Sequence, residues 1–172
     1  MSLWYIGDPC YAIDNYTWGE FCDEVFNFKN DALEGDGIEF NWETHRVCVY
    51  NSGLGGDGQV NVHGYRLSVD AGLLSVLPLE VCRRLSDAQK TQGQQAGHAI
   101  VEARFRPVFD IDTDNFPHIT LDINGSIQHD TTGMNQCDKC GEWCAEYNMT
   151  TYDCYLLGND CCYEDEYEDD EQ

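Results

Sequence analysis

The residues best suited to chemistry crowd the C-terminal third of the chain. Cys137, Cys140, Cys144, Cys154, Cys161 and Cys162 are six of its ten cysteines. In Cys137-Asp138-Lys139-Cys140-Gly141, two residues between the thiolates let both sulfurs face one metal, and the glycine permits a tight turn. This is half of a zinc-knuckle pattern. The second half does not repeat the spacing, so Cys144, Cys154, Cys161 and Cys162 all compete for it, with His129 an outsider. Adjacent side chains such as Cys161 and Cys162 point apart, and the set Cys137, Cys140, Cys154 and Cys161 is the expected one. Four such ligands would close the site, so one structural zinc would brace the fold rather than catalyse.

Carboxylates form two further groups. Asp8, Asp57 and Asp70 each stand next to or near glycine. Such residues usually cap turns by accepting from backbone N–H groups; converging on one pocket, they could instead serve as a general acid/base pair or a metal cradle. Asp110, Asp112 and Asp114 recur at spacing two, which puts them on one face of a strand. A calcium loop is the weaker reading, because Asn115 stands where glycine is needed and Leu121 where a bidentate glutamate is needed. Arg104 and Arg106 are the expected balancing charges. The glycines from Gly53 to Gly58 lack the Gly-Lys-Ser/Thr ending of a phosphate loop. Cys10, Cys22, Cys48 and Cys82 are scattered among apolar residues and read as small buried hydrophobes.

Charge restricts the partners. Thirty-two carboxylates face nine basic residues, a formal net charge of −23, and from Phe109 to Gln172 Lys139 is the one basic residue against seventeen carboxylates. Like charge disfavours nucleic acid and anionic membrane, and favours a basic protein surface. No segment reaches the roughly 18 apolar residues of a membrane helix. Met1 to Ile6 lacks the basic region and apolar stretch of a signal peptide, so a reducing cytoplasm is the expected compartment, where thiols stay free or bind metal. Export by another route would instead allow the ten cysteines to pair.

These residues must be held by a core, and the 42% hydrophobic and 12% aromatic content can build one. Trp18, Phe21, Cys22, Val25 and Phe28 recur at helical spacing behind a Thr17–Glu20 capping box, which predicts a helix over 18–28. Strands are expected over 3–6, 38–42 and 46–50, with a hairpin around His63-Gly64 and a further apolar run over 73–77. Pro78, Val81, Leu85 and Ala88 predict a second helix. Residues 91–97 read as a surface loop and 99–110 as one long strand. Asn124-Gly125 predicts a type I′ hairpin. The fold class is α+β: a strand-rich single domain over residues 1–130 with two short helices. A Cys-rich, zinc-braced extension follows over 131–163, then an acidic disordered tail over 164–172.

Two glycine-bearing segments carry a resemblance. Gly7-Asp8-Pro9-Cys10-Tyr11 is followed by Trp18 and Phe21-Cys22; later come Gly56-Asp57-Gly58 and Val69-Asp70-Ala71-Gly72 ahead of an apolar run. Over about the first eighty residues this order resembles a group of small, mostly uncharacterised bacteriophage and bacterial proteins. The resemblance implies a bacterial intracellular setting and assigns no catalytic residues. The expectation is therefore a non-enzymatic, phage-type accessory protein that binds a basic surface of a host protein. As a nucleic-acid mimic it would present Asp110, Asp112, Asp114, Asp165, Glu166, Asp169 and Asp170 in place of phosphates. The alternatives are a metal-assisted hydrolase using the glycine-flanked aspartates, or a structural or assembly protein.

Overall fold

The first strand, β1 (Ser2–Gly7), is an interior strand of the largest sheet. Its side chains alternate: Tyr5 enters one apolar cluster and Ile6 the other, and both are fully buried. A strand apolar on both faces belongs inside a layered structure. In the computed structural model, β1 lies between β6 (Leu73–Pro78) and β8 (His98–Ala103), antiparallel to each. The sheet continues through β3 (His45–Asn51) to β2 (Ile38–Trp42) on one side and to the short β7 (Gly93–Gln94) on the other. The residues described are 1–27, 37–56, 58–112, 118–132, 134–136, 143–145, 149–152 and 155–158, the last four segments by backbone alone.

One face of this six-stranded sheet is covered by α1 (Trp18–Asn27). Phe21 and Val25 are its buried stripe, and Phe21 packs against Phe40 and Trp42 at ring separations of 5.4 and 5.1 Å. The helix starts differently from the capping-box expectation, since the Thr17 hydroxyl donates back to the Asp14 carbonyl at 3.4 Å. The second expected helix is absent from the described residues. Short 3-10 turns at Leu79–Val81 and Asp87–Lys90 replace it, and Val81 and Leu85 still bury against the same core. The correction has a local cause. The Cys82 amide bonds the Leu79 carbonyl and the Arg84 amide bonds the Ala12 carbonyl, so the chain leaves the helical path to pair with a distant loop.

The other face is covered by strands. The hairpin of β4 (Gly58–Val62) and β5 (Tyr65–Val69) contributes Val60, Val62, Leu67 and Val69. A separate antiparallel sheet of β9 (Val108–Asp112), β10 (His118–Ile123) and β11 (Ser126–His129) contributes Phe109, Ile111, Ile119 and Leu121. The expected long strand over 99–110 is thus two strands in two sheets. Pro107 lacks the N–H that an interior strand position would donate, and it falls in the break. Asn124 and Gly125 have φ of 56° and 86°, the two positive values that a type I′ turn requires.

The chain divides into two compact units, Met1–Asp130 and Thr131–Gln172. In the second, β12 (Met134–Gln136) pairs with β13 (Trp143–Ala145), and β14 (Met149–Tyr152) with β15 (Tyr155–Gly158), both antiparallel. No helix among the described residues is long and apolar enough to cross a membrane.

Candidate functional site

Two regions place side chains in arrangements with chemical potential. The first forms where β1 leaves the central sheet. Gly7 has φ of 148°, and a Cβ there would lie 2.9 Å from the His98 Cβ, so the residue must be glycine for the chain to pass. Asp8 follows, fully buried. Its Oδ1 accepts from the Cys10 amide at 2.9 Å and caps the 3-10 turn Pro9–Tyr11, with Pro9 suited to the first position. Its Oδ2 accepts from the Asp70 amide at 2.8 Å and the Ala71 amide at 2.6 Å. One carboxylate therefore joins two loops 62 residues apart. The Tyr5 hydroxyl donates to the Asp8 carbonyl, and Ser75 Oγ to the Gly7 carbonyl at 2.8 Å.

A third loop seats on the same turn. The Ser52 amide and hydroxyl both donate to the Gly72 carbonyl, at 3.0 and 2.8 Å. Gly72 has φ of 75°, and a Cβ there would approach the Gly55 carbonyl oxygen to 3.1 Å. The Gly7–Tyr11 segment, the Ser52–Gly56 loop and the Asp70–Gly72 turn thus meet. Of the three glycine-flanked aspartates, Asp8 and Asp70 are brought together, and Asp57 lies outside the described residues. Asp70 is exposed, and its carboxylate accepts from the Tyr11 hydroxyl. That bond to Asp70 raises the Tyr11 pKa.

The chemistry open to this cluster is limited by its hydrogen bonding. A carboxylate has about four lone-pair sites, and three amides occupy Asp8. The neighbouring Cys10 is not activated: burial first, then the Asp8 charge, pushes its thiol up to about 12. A reactive cysteine needs the reverse, a depressed pKa beside a cation. Arg84 does approach, donating to the Cys10 carbonyl at 2.5 Å, but the carboxylates outweigh it. His98 is buried and stacks on Tyr5 at 5.0 Å. Burial lowers its pKa, opposed by the Gln89 and Ala96 backbone. Physically the cluster is a latch that holds three loops.

The second region is the outward face of the β9–β10–β11 sheet. Directly opposed residues share a face. Register therefore gives three rows: Val108, Asp122 and Ile127; Asp110, Thr120 and His129; Asp112 and His118. Asp110 and Asp112 are exposed, as the alternation of β9 requires, while Phe109 and Ile111 point inward. The strand rise sets their Cα atoms about 6.8 Å apart. Asp114 lies outside the described residues. No lysine or arginine occupies any of the eight positions. Each of the two arginines expected as balancing charges makes another contact. Arg106 pairs with Glu39, which also pairs with Arg46, and the Arg104 guanidinium lies over the Phe105 ring at 5.3 Å. Exposed Val108 and Ile127 add an apolar margin.

The expected zinc ligands Cys137, Cys140, Cys154 and Cys161 lie outside the described residues, as do Asp165, Glu166, Asp169 and Asp170. Of the four scattered cysteines, Cys48 and Cys82 are buried, and Cys10 and Cys22 are half-buried. Among the described residues, no group of three or more His, Cys, Asp or Glu is arranged to hold a metal ion. Tyr11, Ser52 and His98 were missed in the sequence as members of the latch. Tyr11 closes the glycine-bearing motif, which is a usable signal; Ser52 and His98 offer none. Compared with known proteins, the chain matches no family model, no curated protein and no solved structure.

Proposed function

We propose that this chain is a non-enzymatic accessory protein that binds a basic surface of another protein through the outward face of the β9–β10–β11 sheet. The observation that carries this reading is the composition of that face: Asp110, Asp112 and Asp122 lie on it among Thr120, two histidines and two exposed aliphatic residues, with no lysine or arginine in the rows. Carboxylates beside apolar surface suit a cationic protein partner, because charge guides the encounter while buried aliphatic groups stabilise the complex. The net charge of −23 acts in the same direction at longer range. Imitation of nucleic-acid phosphates is the specific form of the proposal, with Asp114, Asp165, Glu166, Asp169 and Asp170 as further carboxylates of the chain. The proposed setting is the cytoplasm of a bacterial host, on the strength of the phage-type motifs. The C-terminal thiolates Cys137, Cys140, Cys154 and Cys161 would hold one structural zinc, tested by about one zinc per chain after purification without added metal.

The hydrolytic alternative draws on the meeting of Asp8 and Asp70. It is the weaker reading, since the Asp8 oxygens are turned to backbone amides and Asp8 is fully buried. The binding proposal is tested by amide chemical-shift mapping of the full chain with a Lys/Arg-rich peptide. Shifts centred on β9 and β10 support it. Shifts confined to other surfaces, or absent, would refute it.

A further inference from the structure

His118 and His129 are a pair that neither the latch nor the carboxylate face requires. Thr120 stands directly across from His129, and His118 lies two residues before Thr120 on the same side of β10, so the two imidazoles are diagonal neighbours on adjacent strands. Both are exposed. Their ring centroids are 4.9 Å apart with the planes inclined at 55°.

That separation can be compared with what a shared metal ion demands. An imidazole nitrogen binds zinc at about 2.0–2.1 Å, and the ring centroid lies roughly 1.1 Å behind the nitrogen, which puts the centroid about 3.2 Å from the metal. Two such ligands at a tetrahedral angle have centroids about 5.2 Å apart, and at a right angle about 4.5 Å. The observed 4.9 Å lies between these limits. The surroundings favour a cation. Asp112 on β9 is directly across from His118 on β10, and Asp110 is in the row of His129. Carboxylates near ligating imidazoles orient the rings and strengthen them as ligands. No third protein group among the described residues is arranged with the pair to close a cage. Solvent would therefore fill the remaining positions, as it does in open sites.

We propose that His118 and His129 form a two-imidazole surface site for a divalent first-row transition ion, zinc being the reference case, separate from the C-terminal thiolates. Imidazole nitrogen is a suitable donor for zinc, copper and nickel, whereas calcium and magnesium take oxygen. The site goes beyond the reading of this face as a protein-binding surface and does not depend on it.

The test is a zinc titration of the full chain, reduced, with the imidazole nitrogens of all five histidines followed by NMR. His45 and His63 serve as internal references, because one ring nitrogen of each faces a backbone carbonyl, that of Glu43 and that of Leu121. The expected result is a saturable response at His118 and His129 together. His118→Ala should weaken the His129 response about tenfold or more, and His129→Ala should do the same to His118. The double substitution Cys137→Ser/Cys140→Ser should leave both responses in place. If neither ring responds once any thiol site is filled, or if each single variant binds as tightly as the parent, the two rings are only surface neighbours and the proposal is overturned.

Discussion

Replacing Asp8 with alanine should remove the latch and little else. Three amides lose their acceptor: Cys10 at 2.9 Å, Asp70 at 2.8 Å and Ala71 at 2.6 Å. A hydrogen bond to a charged group contributes about 1.5–3 kcal/mol net when buried. The donors here are only partly buried, so water recovers some of this, and about 1 kcal/mol per amide is the better figure. The sum, about 3 kcal/mol, is a large fraction of the roughly 5–15 kcal/mol that stabilises a domain. Asp8→Asn should cost less than alanine, because one oxygen still serves Cys10, but its NH2 group would confront the amides of Asp70 and Ala71. Asp70→Asn should cost far less, because it alters a single exposed contact with Tyr11. Urea unfolding under reducing conditions would rank the three variants, and hydrogen exchange at Asp70 and Ala71 would locate the change. If Asp8→Ala lies within about 0.5 kcal/mol of the parent, the latch does not stabilise the fold as argued.

Three further outcomes follow from particular residues. Cys10, with its thiol pushed up to about 12, should react with iodoacetamide at pH 7.5 at least about tenfold more slowly in the folded chain than in urea; peptide mapping that shows equal rates would contradict this. Burial lowers the His98 pKa, so below the ordinary histidine value of about 6.5 the unfolded chain takes up a proton that the folded chain resists. Stability should therefore fall between about pH 7 and 5, by at most about 1.4 kcal/mol per pH unit from this group, and His98→Phe should flatten that part of the profile. The β2–β3 turn places Thr44 at φ of 73°, an unfavourable region for a β-branched residue, so Thr44→Gly should raise stability by about 1 kcal/mol in the same urea assay.

Local features of the fold were legible where they depended on near neighbours. The stripe of α1, the strands at 38–42 and 46–50, and the Asn124-Gly125 turn each follow from spacing or from one residue's backbone preference. The Glu43-Thr44 turn was not legible, because neither residue announces a positive φ. Nor was the fate of the segment after Pro78, where a bond from the Arg84 amide to the Ala12 carbonyl overrides helical periodicity. The meeting of Asp8 with Asp70 spans 62 residues, and no local pattern encodes such a distance. The glycines beside both residues marked them as turn positions without indicating that they share one turn. The β9 face was half legible. Spacing put Asp110 and Asp112 on one side and made the nearby Arg104 and Arg106 look like their partners, but the tertiary pairing of Arg106 with Glu39 is not written in that spacing.

The central claim is that the β9–β10–β11 face binds a cationic protein surface. It is tested most directly by calorimetric titration of the full chain with a Lys/Arg-rich peptide across a salt series, comparing the parent with Asp110→Asn/Asp112→Asn/Asp122→Asn. The account predicts binding that weakens steeply as salt rises, and a triple variant that binds more weakly at low salt with a shallower salt dependence. Identical affinity and salt dependence in parent and variant, or a complex that persists in about 1 M salt, would contradict it.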